Sequence, residues 1–147
     1  MKDLTAFVQE LPTHLSERCR ILKPSSRSQD GTCVIYWMCS AVRSAENPAL
    51  DVARAIAHQC GLPLLVYHGL SQEHQFASDR HHTFIMEGAR DVQREFAEMG
   101  ISYVLHVATR DDHQPHLVHL ANQAVCVVTE DMPTDPQRRF LKALARQ

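Results

Sequence analysis

Glycine is scarce in this chain, with five in 147 residues, and none follows the first apolar run, where a dinucleotide-binding loop needs one. Neither GxGxxG nor GxxxxGK[ST] occurs, which argues against a conventional NAD-dependent dehydrogenase or a P-loop ATPase. A ligand held by side chains and a helix N-terminus stays open. The five cysteines, Cys19, Cys33, Cys39, Cys60 and Cys126, are odd in number and contain no CxxC pair. Two of them fall in predicted strands, so reduced, structural thiols are expected. No apolar run approaches the ~20 residues that span a bilayer. Asp3, Glu10 and Glu17 interrupt the N-terminus before a signal-peptide core can form. Charge is balanced as well: 15 Lys and Arg against 17 Asp and Glu leave a net charge of -2, with no global positive field to draw nucleic acid. The expectation is a cytoplasmic protein that contacts neither nucleic acid nor membrane directly.

What the chain does have is the make-up of one globular domain, 44% hydrophobic and 22% charged, long enough to bury a core. Residues 1–30 read as a helical extension and linker. Leu4, Phe7, Val8 and Leu11 share one helix face, Pro12 interrupts, and Leu15, Cys19 and Leu22 resume the stripe. Lys23 to Gly31 is a polar, turn-rich linker. From residue 31 onwards strands and helices alternate. Thr32–Met38 is a β-branched and aromatic run short enough to be a strand buried on both faces. Asn47 as N-cap and Pro48 in the first turn open a helix that Gly61 closes, with Leu50, Ala53, Ala57 and Cys60 on its inner face. Strands follow over Leu62–Tyr67, Ile101–Val107 and Ala124–Thr129. Helices follow over His81–Met99, with Asp79 as cap and Ile85, Gly88, Val92, Phe96 and Met99 inward, and over Pro115–Gln123. A last helix over Asp135–Arg146 is inward through Phe140, Leu141 and Leu144. This alternation predicts a Rossmann-like, doubly wound parallel α/β sheet of about four strands, residues 31–147 forming the domain.

In such a sheet the ligand edge is the carboxyl end of the strands. The loop after the first strand offers Met38, Cys39, Ser40, Arg43, Glu46 and Asn47. Arg43 there can hold a phosphate or carboxylate bidentately, or simply pair with Glu46. Thr129 and Glu130 after the fourth strand can meet a ribose hydroxyl or a cation. The same loop also reads as a helix entry, with Thr134 or Asp135 as cap and Pro136 in the first turn. His113, His116 and His119 recur every third residue, a spacing that drifts off one helix face, and Pro115 breaks it. A solvated helix entry fits them better than a metal site, and no metal or catalytic set is assigned. Cys39 as a low-pKa thiol in a small enzyme is the weakest of the readings. Arg138, Arg139, Lys142 and Arg146 fit a solvated face of the last helix.

Three blocks of sequence resemble one family. The first is Val34-Ile35-Tyr36-Trp37-Met38 with Glu46-Asn47-Pro48-Ala49-Leu50. The second is Arg80-His81-His82-Thr83-Phe84-Ile85-Met86-Glu87-Gly88, leading to Gly100-Ile101. The third is Ala124 through Pro133. In order and spacing they are similar to the N-terminal α/β domain of the photolyase/cryptochrome family, nearest the class II cyclobutane pyrimidine dimer photolyases. The family's first strand reads like "VVYWM" and its next helix opens like "DNWAL". The resemblance implies a domain able to hold an antenna chromophore, an 8-hydroxy-5-deazaflavin or a folate. In the family a separate helical domain binds FAD and splits the dimer, so FAD is not expected on this chain alone. Arg43, Glu46 and Asn47 keep the family's loop character, while its Arg-Asp pair is Ser40-Ala41 here. The expected function is a stand-alone or truncated deoxyribodipyrimidine photolyase-like antenna domain, partnered by a separate FAD-binding subunit. The alternative is a degenerate domain that self-associates or docks through the edge of its fourth strand.

Overall fold

The structure, a computed structural model, describes residues 4–23, 31–71, 78–109, 111 and 115–146. Four strands form one parallel sheet: β1 (Cys33–Met38), β2 (Leu64–Ser71), β3 (Ser102–Ala108) and β4 (Ala124–Thr129), in the order β3-β2-β1-β4. Helices α1 (Leu4–Glu10) and α2 (Thr13–Ser16) precede it, with Pro12 at the break. The others are α3 (Pro48–Cys60), α4 (Asp79–Glu98), α5 (His116–Ala121) and α6 (Gln137–Ala145).

Strand alternation divides the core between the two sheet faces. Val34, Tyr36, Met38 and Val66 face α3 and α4, packing on Leu50, Ala53, Ile56, Val92 and Phe96, and Phe7, Leu11 and Leu15 join the same cluster. Ile35, Tyr67 and Ala124 look the other way, toward Leu117 and Leu120 of α5. The chain therefore winds from β1 to β2 and β3 over one face and returns to β4 over the other. This doubly wound path is the expected one, and it makes the β1/β4 boundary the topological switch point.

Helix α3 forms where its signals place it. The Asn47 side chain accepts from the Leu50 N–H, Pro48 stands in the first turn, and Gly61 ends the helix at φ 64°. Leu62 is still bound back to the Ala57 carbonyl and the Pro63 carbonyl accepts from Val34, so β2 starts at Leu64 and not at Leu62. It runs on to Ser71 because β3 offers ladder partners that far, Gly69 opposite His106 and Ser71 opposite Ala108.

Five local expectations are corrected. Ser78, not Asp79, caps α4 through its hydroxyl. Met99, predicted inward, is 44% exposed; it follows the last helical turn, and the inner face is carried by Ala89, Val92 and Phe96. No side chain caps α6: Asp135 is committed to Arg138 and Arg139 on its own helix, and Thr134 serves only through its carbonyl. Phe140 is 58% exposed and Leu22 46% exposed, because no described element lies over either. The linker residues 24–30 and His113 lie outside the described residues.

Candidate functional site

At the carboxyl end of the sheet β1 and β4 release loops side by side, with Trp37 opposite Thr129 in the register. Glu130, the first residue past β4, turns its carboxylate under the β1 loop. It accepts from the Tyr36 hydroxyl at 2.5 Å, from the Cys39 N–H at 3.0 Å and from the Ala41 N–H at 3.3 Å. Asn47 meets the same hydroxyl from the other side. Its Nδ2 donates to Tyr36 Oη at 2.9 Å, to the Arg43 carbonyl at 3.0 Å and to the Ala41 carbonyl at 3.2 Å. Its Oδ1 still caps α3, accepting from Leu50 at 3.1 Å. One buried amide thus closes the loop on itself, starts the helix and supports the tyrosine. Burial, and then the bond to Glu130, push the Tyr36 phenol well above its ordinary range, so it is a neutral donor throughout the physiological range.

Thr129 donates its hydroxyl to the Trp37 carbonyl at 2.8 Å, and the Cys39 sulfur sits 3.6 Å from Thr129 Oγ1. Burial pushes the Cys39 thiol up to about 12, the opposite of an activated nucleophile. Such a thiol is almost entirely protonated at pH 8. Iodoacetamide is therefore expected to label Cys39 at least about a hundredfold more slowly in the native chain than in urea, read by peptide mapping. Equal rates in the two states would contradict the part-buried placement.

The eight residues singled out from the sequence thus divide into two groups. Cys39, Asn47, Thr129 and Glu130 are brought together as an interlocked support, and Met38 beneath them is fully buried in the core. Ser40, Arg43 and Glu46 are exposed on the rim above. No ion pair joins Arg43 to Glu46 among the described residues, so the Arg43 guanidinium is left uncommitted. Glu46 adopts φ 50°, a left-handed conformation costing a non-glycine residue of order 1 kcal/mol, which turns the chain into the Asn47 cap. Ser44 lies inward and donates to Glu95 of α4.

Of the three rim residues, Arg43 lines a groove of about 870 Å³ that runs along β4 between the Arg18–Lys23 segment, the start of α3 and α6, within the size range of small-molecule sites. Its apolar lining includes Val8, Leu15, Val52 and Ile56.

Two groups escaped the sequence reading. Tyr36 is one, although a hydroxyl facing inward between Val34 and Met38 had to find a partner. The other is a pair of tyrosine–histidine contacts on opposite sheet faces. His68 Nδ1 lies 2.8 Å from Tyr103 Oη, and Tyr67 Oη lies 2.9 Å from His106 Nδ1. The His106 ring packs edge-on to His116 at 4.3 Å.

His68 is 4% exposed, and burial holds its imidazole below the ordinary 6.5, with the Glu130 charge opposing that shift. The unfolded chain then binds the extra proton more readily than the folded one. Stability from this group is complete above about pH 6.5 and declines as the pH falls through and below that value. The melting temperature of the native chain is expected to drop more between pH 7.5 and 5.5 than that of His68→Gln. Parallel curves for the two proteins would contradict the assignment.

The family model for DNA photolyase matches residues 34–147. A deoxyribodipyrimidine photo-lyase from Methanothermobacter thermautotrophicus is 35% identical over 130 residues, covering 88% of this chain and 28% of that protein. The chain therefore spans under a third of the length of that relative. No described helix is long and apolar enough to cross a membrane. A match running from the second residue of β1 to the chain's last residue, over a doubly wound parallel sheet, assigns the chain to the DNA photolyase family.

Proposed function

We propose that this domain holds an antenna chromophore for light-driven DNA repair, of 8-hydroxy-5-deazaflavin, flavin or folate type, at the carboxyl ends of β1 and β4. The observation that carries this reading is the uncommitted Arg43 guanidinium on the switch-point rim of a doubly wound sheet, at the mouth of a groove of about 870 Å³. The support beneath the rim is already complete, so a ligand meets a preformed floor. Glu130 and Asn47 hold the loop, and Arg43, which lines the groove, supplies the main contact, with Ser40 and Glu46 beside it on the exposed rim. Repair itself is not assigned to this domain. The electron transfer from FAD belongs to polypeptide beyond these residues, either a separate FAD-binding subunit or the remainder of a longer chain.

Saturating such a site stabilises the fold by mass action, about 2.7 kcal/mol at a ligand concentration 100-fold above Kd. A rise in melting temperature with at least one of 8-hydroxy-5-deazaflavin, a folate, FAD or an adenine nucleotide is expected. No shift with any of them would remove the binding claim.

One observation favours a second reading, in which the domain docks on a partner or on itself. β4 is a sheet edge, and Phe140 stands exposed on the helix that follows it. Edge strands are templates for pairing. Light scattering decides it: a dimer at tens of micromolar supports association, and a monomer at millimolar concentration opposes it.

A further inference from the structure

We infer that the N-terminal segment Arg18–Lys23 makes this site select ligands with an anionic arm, a planar ring system bearing a phosphate or carboxylate side chain. The inference rests on the antenna reading and adds the chemical class of the ligand and the residues that choose it. Arg20 carries the first piece of evidence. Its guanidinium is 2.6 Å from the Asp131 carboxylate, an exposed ion pair that ties the segment to the loop after β4, and the segment and Arg43 line the same groove. The charge tally of the groove is the second. Its charged lining groups are Arg18, Arg20, Lys23 and Arg43 against Glu130 and Asp131.

Both carboxylates are already engaged, Glu130 by Tyr36 and two backbone N–H groups and Asp131 by Arg20. Arg18, Lys23 and Arg43 have no ion partner among the described residues. A chain of net charge -2 therefore gathers three unneutralised cations around one groove that also has an apolar wall. Apolar surface suits a ring. The guanidinium forks and the ammonium suit phosphate or carboxylate oxygens. Each exposed contact is modest alone and sensitive to salt; around one groove, their combined charge favours an anionic arm over a neutral one.

Riboflavin and FMN test this directly, because they share one ring and differ by a phosphate. Flavin fluorescence is titrated with the full chain at low ionic strength. The expected result is FMN binding at least tenfold tighter than riboflavin, with the preference reduced below threefold in Arg18→Gln/Lys23→Gln. Arg54→Gln, an exposed cation of α3 away from the groove, keeps the preference and controls for overall charge. Far-UV circular dichroism confirms that the variants fold; Arg18 and Lys23 are both exposed. Equal affinity for the two flavins, or a preference that survives the double variant, overturns the inference and leaves the ring site standing. Absence of FMN binding also overturns it, and the deazaflavin titration then reports separately on the antenna reading.

Discussion

Asn47→Ala is expected to lower stability by about 3 kcal/mol, a fall of roughly 6–12 °C in melting temperature for a domain of this size. Two losses combine. The α3 cap is typically worth about 1 kcal/mol. The donated bonds to Tyr36, Ala41 and Arg43 leave a buried hydroxyl and two carbonyls short of a partner. Asn47→Asp separates the two losses. Aspartate caps as well as asparagine, and Leu50 keeps its acceptor, but the carboxylate donates nothing and faces Glu130 across Tyr36. A loss of about 2 kcal/mol for Asn47→Asp, measured by urea denaturation, marks the loop network as the larger part. A cost near zero would reduce Asn47 to an ordinary cap.

The second large effect is at Glu130. Alanine there removes the acceptor of three donors at once, and bonds to a charged group contribute about 1.5–3 kcal/mol each. Tyr36 can turn its hydroxyl toward Asn47 Oδ1, 3.3 Å away, and water can reach the part-buried Cys39 and Ala41 N–H groups. A net loss of about 3 kcal/mol is therefore expected for Glu130→Ala, and about half of it for Glu130→Gln, which keeps one acceptor. A double-mutant cycle with Tyr36→Phe should return a coupling of about 1–2 kcal/mol. Additive effects would mean that the short contact between Tyr36 and Glu130 contributes nothing to stability.

Much of the fold was legible because its signals are local. A strand buried on both faces writes itself as an unbroken apolar run, and β1 (Cys33–Met38) lies within the Thr32–Met38 stretch that predicts it. Asn47-Pro48 and Gly61 delimit α3 for the same reason, since caps and left-handed turns are chosen by single residues. Choices between neighbours were less legible: Ser78 and Asp79 are both good caps, and only the backbone path decides between them. The period of α6 shows that it has an apolar side, but not what lies opposite, and Phe140 is exposed.

The rim was visible as residue types, its wiring was not. Tyr36 and Glu130 are 94 residues apart in sequence and meet only because β4 pairs beside β1, in a register that shifts between Cys33 and Val34. Neither strand carries that register in its own composition. Glu130 read from the sequence as a ligand group; folded, its carboxylate is occupied by three donors from the chain. The rim residues proposed to meet a ligand are led by Arg43, whose guanidinium has no partner among the described residues.

An absorbance titration of the chain with 8-hydroxy-5-deazaflavin, with FAD and a folate as comparators, tests the account most directly. A saturable, perturbed spectrum with the deazaflavin, weakened at least tenfold in Arg43→Ala, is the predicted result. Flat titrations with all three would contradict it, leaving a photolyase fold without a chromophore site and moving the weight to association through the edge of β4.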